Sequence, residues 1–311
     1  MSHSQAILVL GAGELGMPML RHLAKRAAVA PRATVSVLLR PSAIEAGDPA
    51  KQQDIAELRA LGIGIVAGDL AAEPLDALAA RFAPFDTIVS CTGFGAGPGV
   101  QRRIAQAVLA AGVARYFPWQ FGVDYDVIGR GSAQDLFDEQ LDVRDLLRAQ
   151  QHTEWVIVST GMFTSFLFEP SFGVVDLARD TVHALGGWDN AVTVTTPEDI
   201  GRLTVEILFA EPRIANQVVY TAGETITYGR LADKVEQFVG RPLRRDAWTM
   251  PAMEAELAAQ PDDTLRKYRV VFGAGRGVAW EMSRTFNAQR GFDALDVDGW
   301  MRQNLRVGVG A

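Results

Sequence analysis

Apolar runs of strand length alternate with segments of helical apolar spacing through the first half of the chain. Residues 6–10, Ala-Ile-Leu-Val-Leu, show no polar alternation, as a strand covered on both faces of a parallel sheet requires. Further apolar runs lie at 34–39, 63–67, 87–91, 113–117 and 155–159. Between them Leu15, Met19, Leu20 and Leu23 recur at helical spacing as far as Ala28, and such patterns return over 51–61, 74–82, 99–111 and 133–149. This alternation of strand and helix predicts an α/β fold: a parallel, doubly wound sheet with right-handed crossovers.

The alternation breaks after Ser159, where Gly and Pro scatter among shorter elements. A dinucleotide-binding domain of the Rossmann type is therefore expected over 1–160, and a smaller C-terminal, mainly substrate-binding part over 161–311. Thr196-Pro197-Glu198-Asp199 reads as a helix start, with Thr as N-cap, Pro at the first position and acids in the first turn. A later apolar run, 218–221, is placed to rejoin the main sheet, so the two parts are expected to interleave near 200–222. Helices are expected over 228–239, 261–270 and 297–305, with Trp248, Trp280 and Trp300 as packing residues.

Composition narrows the function classes. A net charge of −7 with scattered arginines lacks the concentrated basic face that nucleic acid needs. No apolar run approaches the roughly 20 residues that span a bilayer. The first strand starts before a signal-peptide pattern fits, so the expectation is a cytoplasmic protein. The single cysteine, Cys91, has no partner for an internal disulfide, and no Cys/His spacing suits zinc, so no metal is expected.

Directly behind the first strand stands Gly11-Ala12-Gly13-Glu14-Leu15-Gly16. The spacing G-x-G-x-x-G, between a strand and a helix, allows a tight turn, a close backbone approach to a pyrophosphate, and close packing of helix on strand. The phosphates then rest on the helix N-terminus, where free N–H groups favour negative charge. In NAD sites an acid roughly 20 positions further on accepts from the ribose 2′-hydroxyl, whereas an Arg accommodates a 2′-phosphate. Here the second strand runs into Arg40 with no acid, and Lys51 opens the next helix, so the pattern points to NADP(H).

Further along, Phe117-Pro118-Trp119-Gln120-Phe121-Gly122 resembles the Pro-Ser-x-Phe-Gly motif of the NmrA-like and isoflavone-reductase-like family, a branch of the atypical short-chain dehydrogenases/reductases. The glycine loop, Arg40, Lys51, the turn Gly68-Asp69-Leu70, Gln101 and Asp199-Ile200-Gly201 are similar to family positions as well. The resemblance runs from residue 6 to 240 and is most specific in the first 165 residues. It implies a cofactor held by Gly11, Gly13, Glu14, Leu15, Gly16, Arg40, Lys51, Asp69, Thr92, Gly93, Phe94 and Gln120. Thr92, Gly93 and Phe94 then lie on its ribose and nicotinamide side, and Trp119, Phe121, Met162 and Phe163 border a small-molecule substrate.

One departure bears on the chemistry. Reductases of the family use a lysine in Phe-Glu-x-Lys-x-x-x-Arg, and the matching stretch here, residues 137–144, has Gln140 at the lysine position and Arg144 at its end. An amide can hydrogen-bond a carbonyl or a ribose hydroxyl, but it has no proton of tuned pKa to give. None of the five tyrosines has a lysine four residues later, and the lysines, at 25, 51, 234 and 267, lie off this helix. The remaining proton donors are Tyr125, just past the Pro-Trp-Gln-Phe-Gly segment, His183, in the half expected to cover the substrate, and water. Two readings stand. One is an NADPH-dependent reductase transferring hydride to a small aromatic or conjugated substrate of the phenylpropanoid or isoflavonoid kind. The other is a non-catalytic NADP(H) sensor of the NmrA type, acting through a protein contact. A monomer or homodimer suits either.

Overall fold

The computed structural model describes residues 5–29 and 33–306. Its strands are β1 (Gln5–Leu10), β2 (Ala33–Leu39), β3 (Gly64–Ala67), β4 (Thr87–Ser90), β5 (Arg115–Phe117) and β6 (Glu154–Ser159). There follow β7 (Met162–Phe163), β8 (Val175–Asp176), β9 (Thr181–Leu185), β10 (Ala191–Thr195), β11 (Gln217–Tyr220), β12 (Glu224–Thr227) and β13 (Arg244–Trp248). By contact the chain forms two compact units. The first takes the described residues up to Gln120, with Glu139–Val158 and Ile200–Val219. The second takes Phe121–Asp138, Ser159–Asp199 and the described residues from Tyr220. Residues 121–138 thus group with the second unit, although they precede the boundary expected at 160.

The first unit is built on a seven-stranded sheet of order β11-β6-β5-β4-β1-β2-β3. Strand β1 runs parallel to both β2 and β4, with Ile7 beside Val35 and Thr87. Ile7, Leu8, Val9 and Leu10 have no exposed surface, which explains their unalternating sequence. After β1 comes α1 (Gly16–Val29), after β2 come α2 (Pro41–Ile44) and α3 (Pro49–Ala60), after β3 α4 (Leu75–Phe82), and after β4 α5 (Val100–Ala110). Leu8, Leu10 and Ile88 pack in one core with Leu78 and Phe82 of α4 and Ile104 and Val108 of α5. The chain turns outward from β1 to β3, then returns to β4 on the other side of β1. That reversal of strand order opens a crevice at the carboxyl ends of β1 and β4, where sheets of this kind bind ligands.

Capping sets the start of α3. The Asp48 carboxylate accepts from Ala50 N at 2.9 Å with Pro49 in the first turn, so the helix begins two residues before Lys51. Helix α2 buries no residue and so left no apolar pattern to read.

After β5 come α6 (Tyr125–Ile128) and α7 (Leu136–Arg148), and α8 (Pro197–Leu208) leads to β11. The start of α8 has the expected N-cap: Thr196 Oγ1 accepts from Asp199 N at 3.0 Å and donates to the Asp199 carboxylate at 2.9 Å. The second unit holds two three-stranded sheets, β12-β10-β7 and β13-β9-β8. Its helices include α9 (Tyr228–Val239), α10 (Met250–Ala259) and α11 (Thr264–Gly273). The helix expected over 261–270 is α11, set three residues later by Asp263, which caps Leu265 N and Arg266 N. Strand β13, Arg-Arg-Asp-Ala-Trp, and helix α10 were not expected. The strand lacks apolar alternation, and the helix spreads its apolar positions around its circumference. Trp280 is buried, Trp248 stacks on His183, and Trp300 stacks on Phe168 at 4.6 Å. Among the described residues no helix is long and apolar enough to cross a membrane.

Candidate functional site

At the carboxyl ends of β1 to β4, within the first unit, lies a cleft of about 510 Å³. Its floor is the turn between β1 and α1, where the three motif glycines do different things. Gly11 has φ +91°, and a Cβ there would stand 2.9 Å from Thr92 Oγ1. A Cβ on Gly16 would collide with the Gly11 carbonyl, so this glycine is what lets α1 start against the turn. Gly13 lines the cleft, and a Cβ on it would meet nothing within 4 Å. That open space leaves the backbone accessible beside first-turn N–H groups that lack intrahelical partners, an arrangement suited to an anion. Leu15 is buried and Glu14 exposed, and neither is among the residues that line the cleft.

Two cations and one acid stand over the cleft. Arg40, at the end of β2, and Lys51, in the first turn of α3, both line it and are exposed. Neither makes an ion pair or a side-chain hydrogen bond among the described residues. Asp54 lines the cleft on the same helix as Lys51. Two cations outnumber the one acid of this group on the concavity, a balance that favours an anion there.

The far wall is the turn after β3, in which Gly68, Asp69, Leu70 and Ala71 line the cleft. Asp69 Oδ1 accepts from Ala71 N at 2.9 Å and Ala72 N at 3.0 Å, so one oxygen of this expected cofactor ligand is engaged in shaping the turn. The Glu73 carboxyl pKa is lowered from its ordinary value, chiefly by the hydrogen bond from Arg81. The near wall follows β4. Thr92 Oγ1 donates to Leu10 O at 3.0 Å, and Gln101 Nε2 donates to Thr92 O at 2.8 Å, which locks this loop to the sheet and to α5. Gly93 lines the cleft and backs onto Trp119, whose Cζ2 would be 2.9 Å from an added Cβ. The Phe94 ring meets Trp119 edge to face at 4.6 Å. Cys91 lines the cleft, but burial pushes its thiol pKa far up, which leaves it inert as a nucleophile.

Helix α7 carries the departure noted in the sequence. Gln140 is wholly buried, and neither Oε1 nor Nε2 of its amide has a hydrogen-bond partner. Its backbone carbonyl accepts from Gln120 Nε2 at 2.8 Å, and Gln120 Oε1 accepts from Arg144 Nε at 2.7 Å. Both ends of the Gln120 amide are thus engaged inside the protein, and Gln120 is fully buried. Here the side chain expected to touch the cofactor clamps the end of β5 to α7. Arg144, at the end of the family-like stretch 137–144, thus holds Gln120 in place.

The remaining expected residues lie in the second unit. Tyr125 opens α6 and is buried, its ring edge to face with Phe137 at 4.9 Å and its hydroxyl packed on Gly122. Beside it, Asp124 accepts from the Tyr220 hydroxyl at 2.6 Å, a carboxylate–phenol pair that no local motif announced. His183 lies on β9 with Nδ1 at 2.7 Å from Gly173 O and its ring stacked on Trp248 at 4.2 Å. Phe121 and Met162 are buried, and Phe163 is half-buried.

A doubly wound parallel sheet with a glycine turn and a cation-lined cleft at its switch point defines the Rossmann class of dinucleotide-binding folds. The chain matches the NmrA-like family over residues 3–286 and belongs to it. It is 49% identical over 301 residues to an NmrA-like family domain-containing oxidoreductase of Gibberella moniliformis, a match covering 96% of this chain and 98% of that one. Among solved structures, an isoflavone reductase superposes with a TM-score of 0.80 at 19% identity, covering 96% of this chain and 99% of the other. The leucoanthocyanidin reductase of Vitis vinifera, solved as a binary complex with NADPH, superposes with a TM-score of 0.77 at 19% identity, covering 96% and 98%.

Proposed function

We propose that this protein is an NADPH-dependent reductase that passes hydride to a small aromatic or conjugated acceptor. The observation that carries the reading is the pair Arg40 and Lys51, without ionic partners among the described residues and facing the same cleft as the glycine turn. NADP(H) fits the residues present. Gly13 leaves room for the pyrophosphate, the two cations suit a 2′-phosphate, and no acid ends β2 to claim a 2′-hydroxyl. When bound, the reduced nicotinamide supplies the hydride, and the protein supplies orientation and a dry site. The oxidoreductase and reductase relatives support the same reading. Trp119, Phe121, Met162 and Phe163 are the apolar side chains proposed for the acceptor's ring, and Tyr125 the proposed phenol for its proton. His183, fixed by Gly173 and Trp248, serves in this proposal to hold β9.

Charge-assisted hydrogen bonds contribute about 1.5 to 3 kcal/mol each. Arg40→Ala should therefore weaken NADPH binding by about 10- to 150-fold and leave NADH binding nearly unchanged. Titration of both cofactors against both proteins checks this, and equal losses for the two would sink the assignment.

Gln140 favours a second reading, an NADP(H)-responsive regulator. A buried amide with no polar partner delivers no proton. NADPH oxidation by wild type and Gln140→Lys, across a panel of aromatic enones, separates the two. The reductase reading expects turnover of at least one acceptor by wild type, raised by Gln140→Lys at unchanged NADPH affinity. If both proteins are inert while NADPH still binds and alters association with another protein, the regulator reading replaces it.

A further inference from the structure

The turn that forms the far wall of the cleft is braced from outside by charged side chains that do not line the cleft. Asp69 N donates to Glu73 Oε1 at 2.9 Å, and Glu73 Oε2 accepts from Arg81 Nε at 2.6 Å. Arg103 Nη1 donates to Ala71 O at 2.7 Å and to Glu73 O at 3.3 Å. Arg81 belongs to α4 and Arg103 to α5, so each of the two helices behind the turn sends one guanidinium to it. Because the turn closes on itself through Asp69, its backbone and small side chains present a wall of fixed shape.

What lies against that wall follows from the geometry of a nucleotide. In the reading above, the 2′-phosphate sits at Arg40 and the pyrophosphate at Gly13. The base is carried on C1′, next to C2′, while the pyrophosphate leaves from C5′ at the other end of the ribose. With the pyrophosphate toward β1 and the 2′-phosphate at the end of β2, the base points onward to the next strand, β3, and meets Gly68, Leu70 and Ala71. We infer that Glu73, Arg81 and Arg103 are positioning residues for the base-bearing half of the cofactor, holding the wall against which the adenine lies. The inference rests on the NADP(H) reading and adds to it the side chains that set affinity without touching the ligand.

Glu73 makes the test sharp, because two explanations predict opposite signs. Removing a negative charge near an anion site strengthens anion binding if only the local field matters. If Glu73 acts by holding the turn, removing it weakens binding. The probe is adenosine 2′,5′-bisphosphate, titrated calorimetrically alongside NADPH against full-length wild type, Glu73→Ala, Arg103→Met and Arg103→Lys, with thermal midpoints recorded. Glu73→Ala and Arg103→Met should each weaken adenosine 2′,5′-bisphosphate by about 3- to 10-fold and NADPH by the same factor, since one half of the ligand carries the loss. Arg103→Lys, which keeps a donor for the two carbonyls, should recover part of it. Tighter or unchanged binding by Glu73→Ala, or a loss confined to NADPH, overturns the inference. If the two brace variants bind normally while Arg40→Ala is impaired, the inference alone falls. If wild type binds neither probe, the NADP(H) reading falls with it.

Discussion

Gly13 and Gly16 occupy equivalent-looking places in one motif and are glycine for different reasons. Gly16 is dictated by the fold, because any Cβ there meets the Gly11 carbonyl. Gly13 has no left-handed φ and empty space beside it, so nothing in the fold requires it bare. Gly13→Val should therefore abolish NADPH binding at an unchanged unfolding midpoint. Gly16→Val should cost about 1 to 3 kcal/mol by overpacking, seen as an earlier denaturation midpoint. A Gly13→Val protein that binds NADPH normally would reduce the turn to architecture. At this scale the sequence locates Gly11, Gly13, Arg40 and Lys51, which the structure brings to one cleft. It was not legible where the role depends on a partner distant in the chain. The motif suggests Gln120 as a cofactor contact but says nothing of Arg144 and Gln140, which engage both ends of its amide, and nothing local pairs Asp124 with Tyr220, 96 residues away.

Among the elements, β5 is only three residues long, yet its first residue anchors a remote segment. Arg115 is buried, donating from Nη1 to Leu208 O at 2.7 Å and from Nη2 to Ile214 O at 2.6 Å, with its guanidinium 5.1 Å from the centre of the Phe117 ring. Burial lowers its pKa to about 10, still well above neutrality, so the cation persists there. Arg115→Met leaves the Leu208 carbonyl at the end of α8 and the Ile214 carbonyl beyond it without this donor, and should destabilise the fold by about 2 to 4 kcal/mol. Denaturant unfolding measures that loss, and an unchanged midpoint would show that solvent satisfies those carbonyls equally well. The expected strand over 113–117 was right in place and long by two residues at its start. Val113 is buried like a strand residue although it lies outside β5, and apolar content cannot tell the two situations apart. Elements with a one-sided apolar pattern were readable, such as α8 and α9. Elements whose partners supply the order, such as β13 paired to β9, were not.

Across the whole molecule, the α/β class and the family membership followed from the β-α alternation and from motifs spread over the chain. The grouping of residues 121–138 with the second unit did not, because nothing in their composition differs from an ordinary loop after a strand. The chain passes from one unit to the other at residues 120, 138, 158, 199 and 219, so neither unit is a continuous stretch of polypeptide. This bears on synthesis, which delivers the chain from its N-terminus and ordinarily lets each early domain fold as it emerges. The sheet that carries the cleft gains its last strand, β11, only when residue 220 has been made. A ribosome that has finished the glycine turn, both cations and the braced wall has therefore still not released all of the first unit. Beside β6 the sheet keeps an open edge until most of the chain has been made.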